Sequence, residues 1–332
     1  MSRNVLLFTS LWHDFSLEEL AQKVGGWGYQ GLELCAGTEH LEIPRAVNED
    51  GYCEKILELL GRYDVSVGLV SAHRTSQAVC DEIQSCHQAL APAHVWGDGA
   101  PAGVRSRAVE DMIATVRVAE KLGVRVISGF SGSAIFRRVL GYPWLAQTEI
   151  AAAYQDFGKR WAPILDACRE AGVQYALEIH AGQMAFDLVT AEMALDAVDG
   201  REELGFTFDP SHFLCQGLDP VEFLRRFPDR IYHVHIKDAV LNLNGRNSLW
   251  CSYLPSGDPR RGFDFRSPGR GGVNWEAIIR TLNDIGYAGP LTVECKDPAM
   301  QRDQSAEEAY KFVKHLDFRS VNGAGGGAFR DS

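Results

Sequence analysis

A chain of 332 residues with 45% hydrophobic and 23% charged side chains has the composition of a folded globular protein with a large core. Its formal net charge of -11 repels a phosphate backbone, so nucleic acid is not an expected partner. The sequence has no apolar run long enough for a membrane span, and its eight cysteines form no C-x-x-C pair, so reduced thiols in a cytoplasmic protein are expected.

From the first residues onward, apolar strand-like runs alternate with amphipathic helix-like ones, the signature of an α/β fold. The opening MSRNVLLFTSLW has too short an apolar stretch for a secretion signal and reads as a first strand. The predicted strands are VLLFTS (5–10), GLELCA (31–36), VSVGLVS (65–71) and VRVISGF (124–130). Four more follow: VQYALEIH (173–180), LGFTFD (204–209), RIYHVHIK (230–237) and GPLTVEC (289–295). Helices are predicted between them from Ser16, Tyr52, Ser106, Tyr154, Leu188, Asp219 and Asn274. Several open on an N-capping side chain and several end at glycine. Eight such units close a (β/α)8 TIM barrel, expected as one domain over 1–318 with a Gly-rich flexible tail over 319–332. Three strand-to-helix loops are long: 73–104, the segment after Phe130, and 239–273. Loops of that length at the C-terminal face of a barrel are expected as lids or substrate walls. The last holds Arg246, Arg260, Arg261, Arg266 and Arg270, which could clamp an anion.

Four ionisable residues stand at the ends of the last four predicted strands: Glu178, Asp209, His235 and Glu294. A carboxylate ending an apolar strand costs several kcal/mol unless it is paired or metal-bound. In a barrel those ends converge on one mouth, so the quartet is read as a divalent-metal site. Three carboxylates and one imidazole suit Mn²⁺, Mg²⁺ or Co²⁺, with Zn²⁺ admissible. His180, His212, Lys237 and Lys296 would surround the ion. His73 ends the third strand and is expected in the substrate wall. Glu33 lies inside the second strand between apolar neighbours, as a substrate ligand or as the buried partner of an arginine or lysine. His233, one layer deeper than His235, reads as a core histidine. His13, His40, His87 and His94 fall in loops and are expected at the surface.

The order E…D-x-x-H…H-x-H…E across these strands resembles the xylose-isomerase-like superfamily of metal-dependent sugar isomerases and epimerases. The motifs LEIH, FDPSH, HVHIKD and VE look most like sugar phosphate isomerase/epimerase-type proteins, over Val5 to about Phe318. The resemblance implies Glu178, Asp209, His235 and Glu294 as ligands of a divalent metal, Mn²⁺ foremost. It implies His212 as a substrate contact; His73, Lys237, Glu33 and Arg270 are further substrate-binding candidates read from their own positions. In the ketose 3-epimerase branch the two metal-bound glutamates also move the proton, a role that falls on Glu178 and Glu294. The chain departs from that branch at Met184 and Leu241, where a glutamate and an arginine are expected. His180 stands where a mobile base would serve, and a histidine titrating near neutrality suits proton transfer.

The activity implied is a sugar isomerase or epimerase acting through an enediolate. The alternative is a lyase or deglycosylase on 3-keto glycosides that works with a small partner subunit. An endonuclease-IV-like repair enzyme is opposed by the acidic balance, and a non-catalytic sugar-binding barrel would hold no ion with an open position. Apolar Leu140, Trp144, Trp250 and Leu254 in the long loops fit a homo-oligomer, a partner subunit or packing within the lids themselves.

Overall fold

The structure is a computed structural model that describes residues 3–318; the tail expected over 319–332 lies outside the described residues. Its strands are β1 (Val5–Phe8), β2 (Gly31–Cys35), β3 (Ser66–Ser71), β4 (Val126–Gly129) and β5 (Gln174–Glu178). They continue as β6 (Leu204–Phe208), β7 (Ile231–Ile236), β8 (Asp238–Leu241), β9 (Phe263–Arg266) and β10 (Leu291–Val293). β1 to β7 and β10 pair in parallel and close a barrel in which β1 meets both β2 and β10. These are the eight strands expected from the apolar runs. Every residue of β1, β2, β6 and β10 is buried, because the helices cover the outer face while side chains fill the interior.

The helices start where the sequence supplies a start. Ser16 accepts from the Glu19 amide at 3.3 Å and donates its own amide to Glu19 Oε2 at 2.9 Å, a capping box ahead of helix Leu17–Trp27. That helix ends at Gly28 with φ 96°, a left-handed position that glycine takes without strain. The helix expected from Ser106 begins earlier, at Pro101, whose fixed φ and missing amide suit a first turn. Helix Arg302–Leu316, absent from the expected set, buries Ala306, Ala309 and Val313. Just beyond it Asp317 accepts from the Arg3 amide at 2.8 Å and pairs with the Arg3 guanidinium, so the two ends of the described chain are tied by a buried ion pair.

Two of the long loops carry structure that local patterning did not show. Segment 73–104 starts directly as helix His73–Cys80 and adds the short helix Ala93–Trp96. Segment 239–273 is framed by the antiparallel hairpin β8–β9, in which Ala239 faces Phe265 and Leu241 faces Phe263. His40 and His87, expected at the surface, are buried. His40 Nε2 lies 2.9 Å from the Phe15 carbonyl and His87 Nε2 lies 3.0 Å from Asp81, so both have polar partners inside. His94 is exposed and reaches Asp111 at 2.6 Å. All eight cysteines are free thiols. Among the described residues no helix is long and apolar enough to cross a membrane.

Candidate metal centre

Four strands deliver the quartet to one end of the barrel. Glu178 closes β5, Asp209 follows β6, His235 lies in β7, and Glu294 follows β10. One ligand atom from each lies within 4.8 Å of the other three, and all four residues are buried. His235 Nδ1 stands 3.8 Å from Glu178 Oε1, 4.0 Å from Asp209 Oδ2 and 4.0 Å from Glu294 Oε2. Donors that each sit about 2.1 Å from one ion are separated by roughly 3–4 Å, so the spacing fits a single divalent cation.

The hydrogen bonds around the quartet support the same conclusion. Glu33 Oε2 lies 2.8 Å from His233 Nε2 and 3.1 Å from His235 Nε2. A carboxylate only accepts, so His235 donates through Nε2 and turns Nδ1 toward the other three carboxylates. Nδ1 finds no hydrogen-bond partner there. Asp209 Oδ2 also makes no hydrogen bond of sound geometry, although Lys237 Nζ lies 2.7 Å away. His235 Nδ1 thus remains open among gathered carboxylates, and Asp209 Oδ2 is held there by an ion pair without a hydrogen bond of sound geometry, an arrangement that a cation completes.

Lys237 holds the carboxylates from one side. Its Nζ lies 2.6 Å from Glu294 Oε2, 2.7 Å from Asp209 Oδ2 and 2.8 Å from His212 Nε2. Burial opposes its charge, but Asp209 and Glu294 overcome burial and hold its pKa above the ordinary lysine value. Burial likewise favours neutral Glu294, yet Lys237 and Lys296 hold its pKa down at about 2. His212 Nε2 is 3.1 Å from Glu178 Oε1, and His73 Nε2 is 2.7 Å from Glu178 Oε2. His73 Nδ1 is in turn 2.6 Å from Ser71 Oγ. Both oxygens of Glu178 are therefore engaged, whereas among the described residues the outer oxygen of Glu294 pairs with Lys296 at the longer distance of 3.4 Å.

A cavity of about 340 Å³ opens over these residues and is lined by His73, His180, His212, Lys237, Glu178 and Glu294, with Phe8, Phe130 and Phe265 as apolar walls. Lys296 and Arg74 also line it. Three expectations need correction. His180 does not titrate near neutrality: burial first, then the neighbouring His212, press its pKa to about 3. Its Nδ1 is committed to the Ala181 carbonyl, which leaves a neutral ring with its lone pair on Nε2. Glu33 is fully buried and is not part of the cavity wall; its partners are two histidines, not an arginine or lysine. Arg270 lies away from the cavity at the surface, where it pairs with Glu308 at 2.6 Å on helix Arg302–Leu316.

Three of the other loop arginines are engaged locally and do not join an anion clamp. Arg260 pairs with Asp258 at 2.6 Å, Arg261 donates to the Leu254 and Phe263 carbonyls, and Arg266 donates to Phe265. His73 and Glu33, which an endonuclease-type metal cluster would draft, are already held by Glu178 and by the barrel histidines. At the positions that depart from the ketose 3-epimerase pattern, Met184 is buried against Ser133 Oγ, and Leu241 is partly exposed on the hairpin. Arg74 and Phe265 were not anticipated. The alternation F-D-F-R in β9 was a readable strand signal for Phe265.

These features describe a fold and a site together, and a family model confirms the fold. Residues 21–316 match the model described as Xylose isomerase-like TIM barrel.

The chain belongs to the xylose isomerase-like TIM barrel family.

Among relatives of this family, inosose dehydratase of Geobacillus kaustophilus (strain HTA426) is 31% identical over 154 residues, 45% of this chain and 48% of that protein. The chain thus spans about half the length of the curated relatives it matches. The apo structure of 3-keto-D-glucoside 4-epimerase YcjR from E. coli superposes with a TM-score of 0.67 at 14% identity, covering 94% of this chain and 99% of that one. The structure of the probable 3-DHS dehydratase AsbF from Bacillus anthracis gives a TM-score of 0.66 at 18% identity, covering 94% and 98%. At such identities the structural matches establish the shared xylose isomerase-like barrel.

A direct test of the centre is metal-linked stability. A divalent ion at a hundred times its dissociation constant stabilises the folded state by about 2.7 kcal/mol. Titrating Mn²⁺, Co²⁺ or Zn²⁺ into chelated protein should raise the melting temperature, and Asp209→Asn should remove the shift. The effect also has a sign in pH. Burial works against a charged His235, but Glu33 and Glu178 raise its pKa above the ordinary histidine value, which favours a proton on the metal-free ring. Metal must displace that proton, so affinity should weaken as pH falls. Calorimetry in buffers of different ionisation enthalpy would count the proton released.

Proposed function

We propose that this chain is a divalent-metal-dependent enzyme that removes the proton beside the carbonyl of a keto-sugar or cyclic polyhydroxy ketone, and then expels the hydroxyl on the next carbon. The observation that carries this reading is the buried quartet, with His235 Nδ1 open, beneath a cavity that also holds the ammonium groups of Lys237 and Lys296. When bound there, a divalent ion supplies Lewis acidity toward a carbonyl oxygen; Mn²⁺ is the metal we favour. Glu178, Asp209, His235 and Glu294 would hold it.

The side chains divide the remaining work. Glu294, whose outer oxygen is the less engaged of the two glutamates' outer oxygens, takes the proton from carbon. The C–H electron pair moves into a carbon–carbon double bond as an enediolate forms. The bond to the β-hydroxyl then breaks, and an ammonium, Lys296 or Lys237, supplies the proton that lets it leave as water. His180 and His212 also line the cavity and are placed to bind substrate hydroxyls. The likeness to inosose dehydratase supports loss of water over simple reprotonation.

A second reading, epimerisation or isomerisation, is favoured by the presence of two metal-facing glutamates. In it the same enediolate is reprotonated at carbon. The two are separated by incubating metal-loaded protein in D₂O with a panel of keto-inositols and keto-sugars. Loss of one water is the expected result, with deuterium at the carbon that lost the hydroxyl once the enol product ketonises. Deuterium without water loss selects the second reading, and no label from any ketone overturns both.

A further inference from the structure

The cavity over the quartet has two unlike sides. The order of strands in the barrel sets β10, β1, β2 and β3 next to one another. Lys296 follows β10, Ser10 and His13 follow β1, Cys35 ends β2 and Arg74 follows β3, and all five residues line the cavity. We infer that this arc is a subsite for a carboxylate held by Arg74 and Lys296, so that the substrate is a hydroxyketone that also carries an acid group. The inference rests on the metal-dependent reading of the same cavity and adds a substrate class to it. It assigns Lys296 to the carboxylate, which leaves Lys237 to protonate the departing hydroxyl.

Charge is the first argument. Arg74 and Lys296 are the permanent cations on the arc, and no acidic side chain there answers them. The carboxylates that line the cavity are Glu178 and Glu294, both members of the quartet. Among the described residues no carboxylate pairs with Arg74, and its buried Nε has no hydrogen-bond partner. Lys296 pairs loosely with Glu294, at 3.4 Å. In a chain of net charge -11, carboxylates are abundant, so an arginine left open at a cavity wall is suited to an anion from outside. The two cations act on the same ground. Both oppose the burial that pushes the Cys35 thiol up to about 12. After burial and His40, both also press the His13 ring below the ordinary histidine value.

Open polar atoms are the second argument. Ser10 Oγ and His13 Nδ1 are buried without a hydrogen-bond partner, as Arg74 Nε is. Folded proteins pair nearly all such atoms, so their gathering on one wall marks a place that a ligand completes. Helix His73–Cys80 starts on the same wall. Its N-cap is Ala72, no side chain caps its first turn, and the positive end of a helix favours an anion.

Size is the third argument, and it selects among anions. At about 30 Å³ for each water-sized group, a cavity of about 340 Å³ accommodates roughly a dozen non-hydrogen atoms. A six-membered hydroxyketone ring bearing a carboxylate fills that space, and a phosphate ester of the same ring exceeds it. The planar fork of Arg74 matches the two oxygens of a carboxylate.

The test compares ligands that differ in a single group. 1,5-Anhydro-D-glucitol, the acid made from it by oxidation at C6, and its 6-phosphate are rings without a carbonyl and are therefore unreactive probes. Each is titrated calorimetrically into the metal-loaded protein. The acid should bind about tenfold tighter than the neutral ring, and no more weakly than the phosphate. Arg74→Gln and Arg74→Met should each bring the ratio of acid to neutral ring toward one. Arg117→Gln removes the same charge from an exposed position on helix Pro101–Lys121, away from the cavity, and should leave the ratio in place. A parent ratio near one overturns the inference, and so does a ratio unchanged in both Arg74 variants, which would place the acid on the metal. Tighter binding of the phosphate overturns the assignment to a carboxylate. Absence of both water loss and deuterium uptake with every ketone would instead overturn the proposed chemistry, and the binding ratio would still report on the arc by itself.

Discussion

Glu294→Gln, saturated with divalent ion, should exchange the proton beside the carbonyl 10²- to 10⁴-fold more slowly than the parent protein, the range over which a positioned base contributes. The amide keeps an oxygen that can face the ion but cannot accept the proton. Glu178→Gln is the informative comparison. Glu178 is engaged by His73 at 2.7 Å and by His212 at 3.1 Å, so its carboxylate is occupied with position. Its replacement should weaken metal binding more than it slows exchange at saturating metal. The measurement is deuterium incorporation by NMR at several metal concentrations for both variants. Equal losses at saturation would mean that both glutamates move protons, which is the epimerase arrangement. No loss in Glu294→Gln would remove Glu294 from the chemistry.

The strands and the quartet were legible because each leaves a local trace. A parallel barrel strand reads as an apolar run, and an acid ending such a run stands out as a charge without a local reason to be buried. Glu178, Asp209 and Glu294 are all of this kind, and His235 is an ionisable side chain near the end of its own strand. Glu33 shows the limit. Its place in an apolar strand was visible, but its partner His233 lies 200 residues away, and nothing local could say that the partners are histidines. His180 shows a second limit, since its depressed basicity comes from burial and from His212, on the helix that follows β6. The hairpin β8–β9 was hidden for a different reason. Its two strands are four residues each and are separated by a long turn, so pairing them requires knowing what they pack on. The loop arginines failed as clamps because arginine is long enough to satisfy itself locally, as Arg260 does with Asp258 two residues away.

Glu33→Ala should be among the most damaging single changes in this protein. The Glu33 carboxylate is fully buried, and burial alone would favour its neutral form; His235 and His233 overcome that and hold its pKa well below the usual carboxylate range. Removing one member of a buried charged cluster typically costs about 3–5 kcal/mol, because the partners are left without compensation. A second loss should accompany the first. With no acceptor at Nε2, the His235 ring is free to change tautomer or turn, and loss of such an outer partner typically lowers metal affinity about 10- to 100-fold. Glu33→Gln separates the two effects. Its single amide oxygen can accept from one histidine, while its NH₂ group opposes the N–H of the other, so stability should fall less than in the alanine variant while metal affinity still drops. Urea unfolding of metal-free protein gives the stability term, and competition with a fluorescent chelator gives the affinity. A Glu33→Ala protein that matched the parent in both would show that His235 is oriented by its packing against Phe8, 5.5 Å away between ring centroids, and not by the carboxylate beneath it.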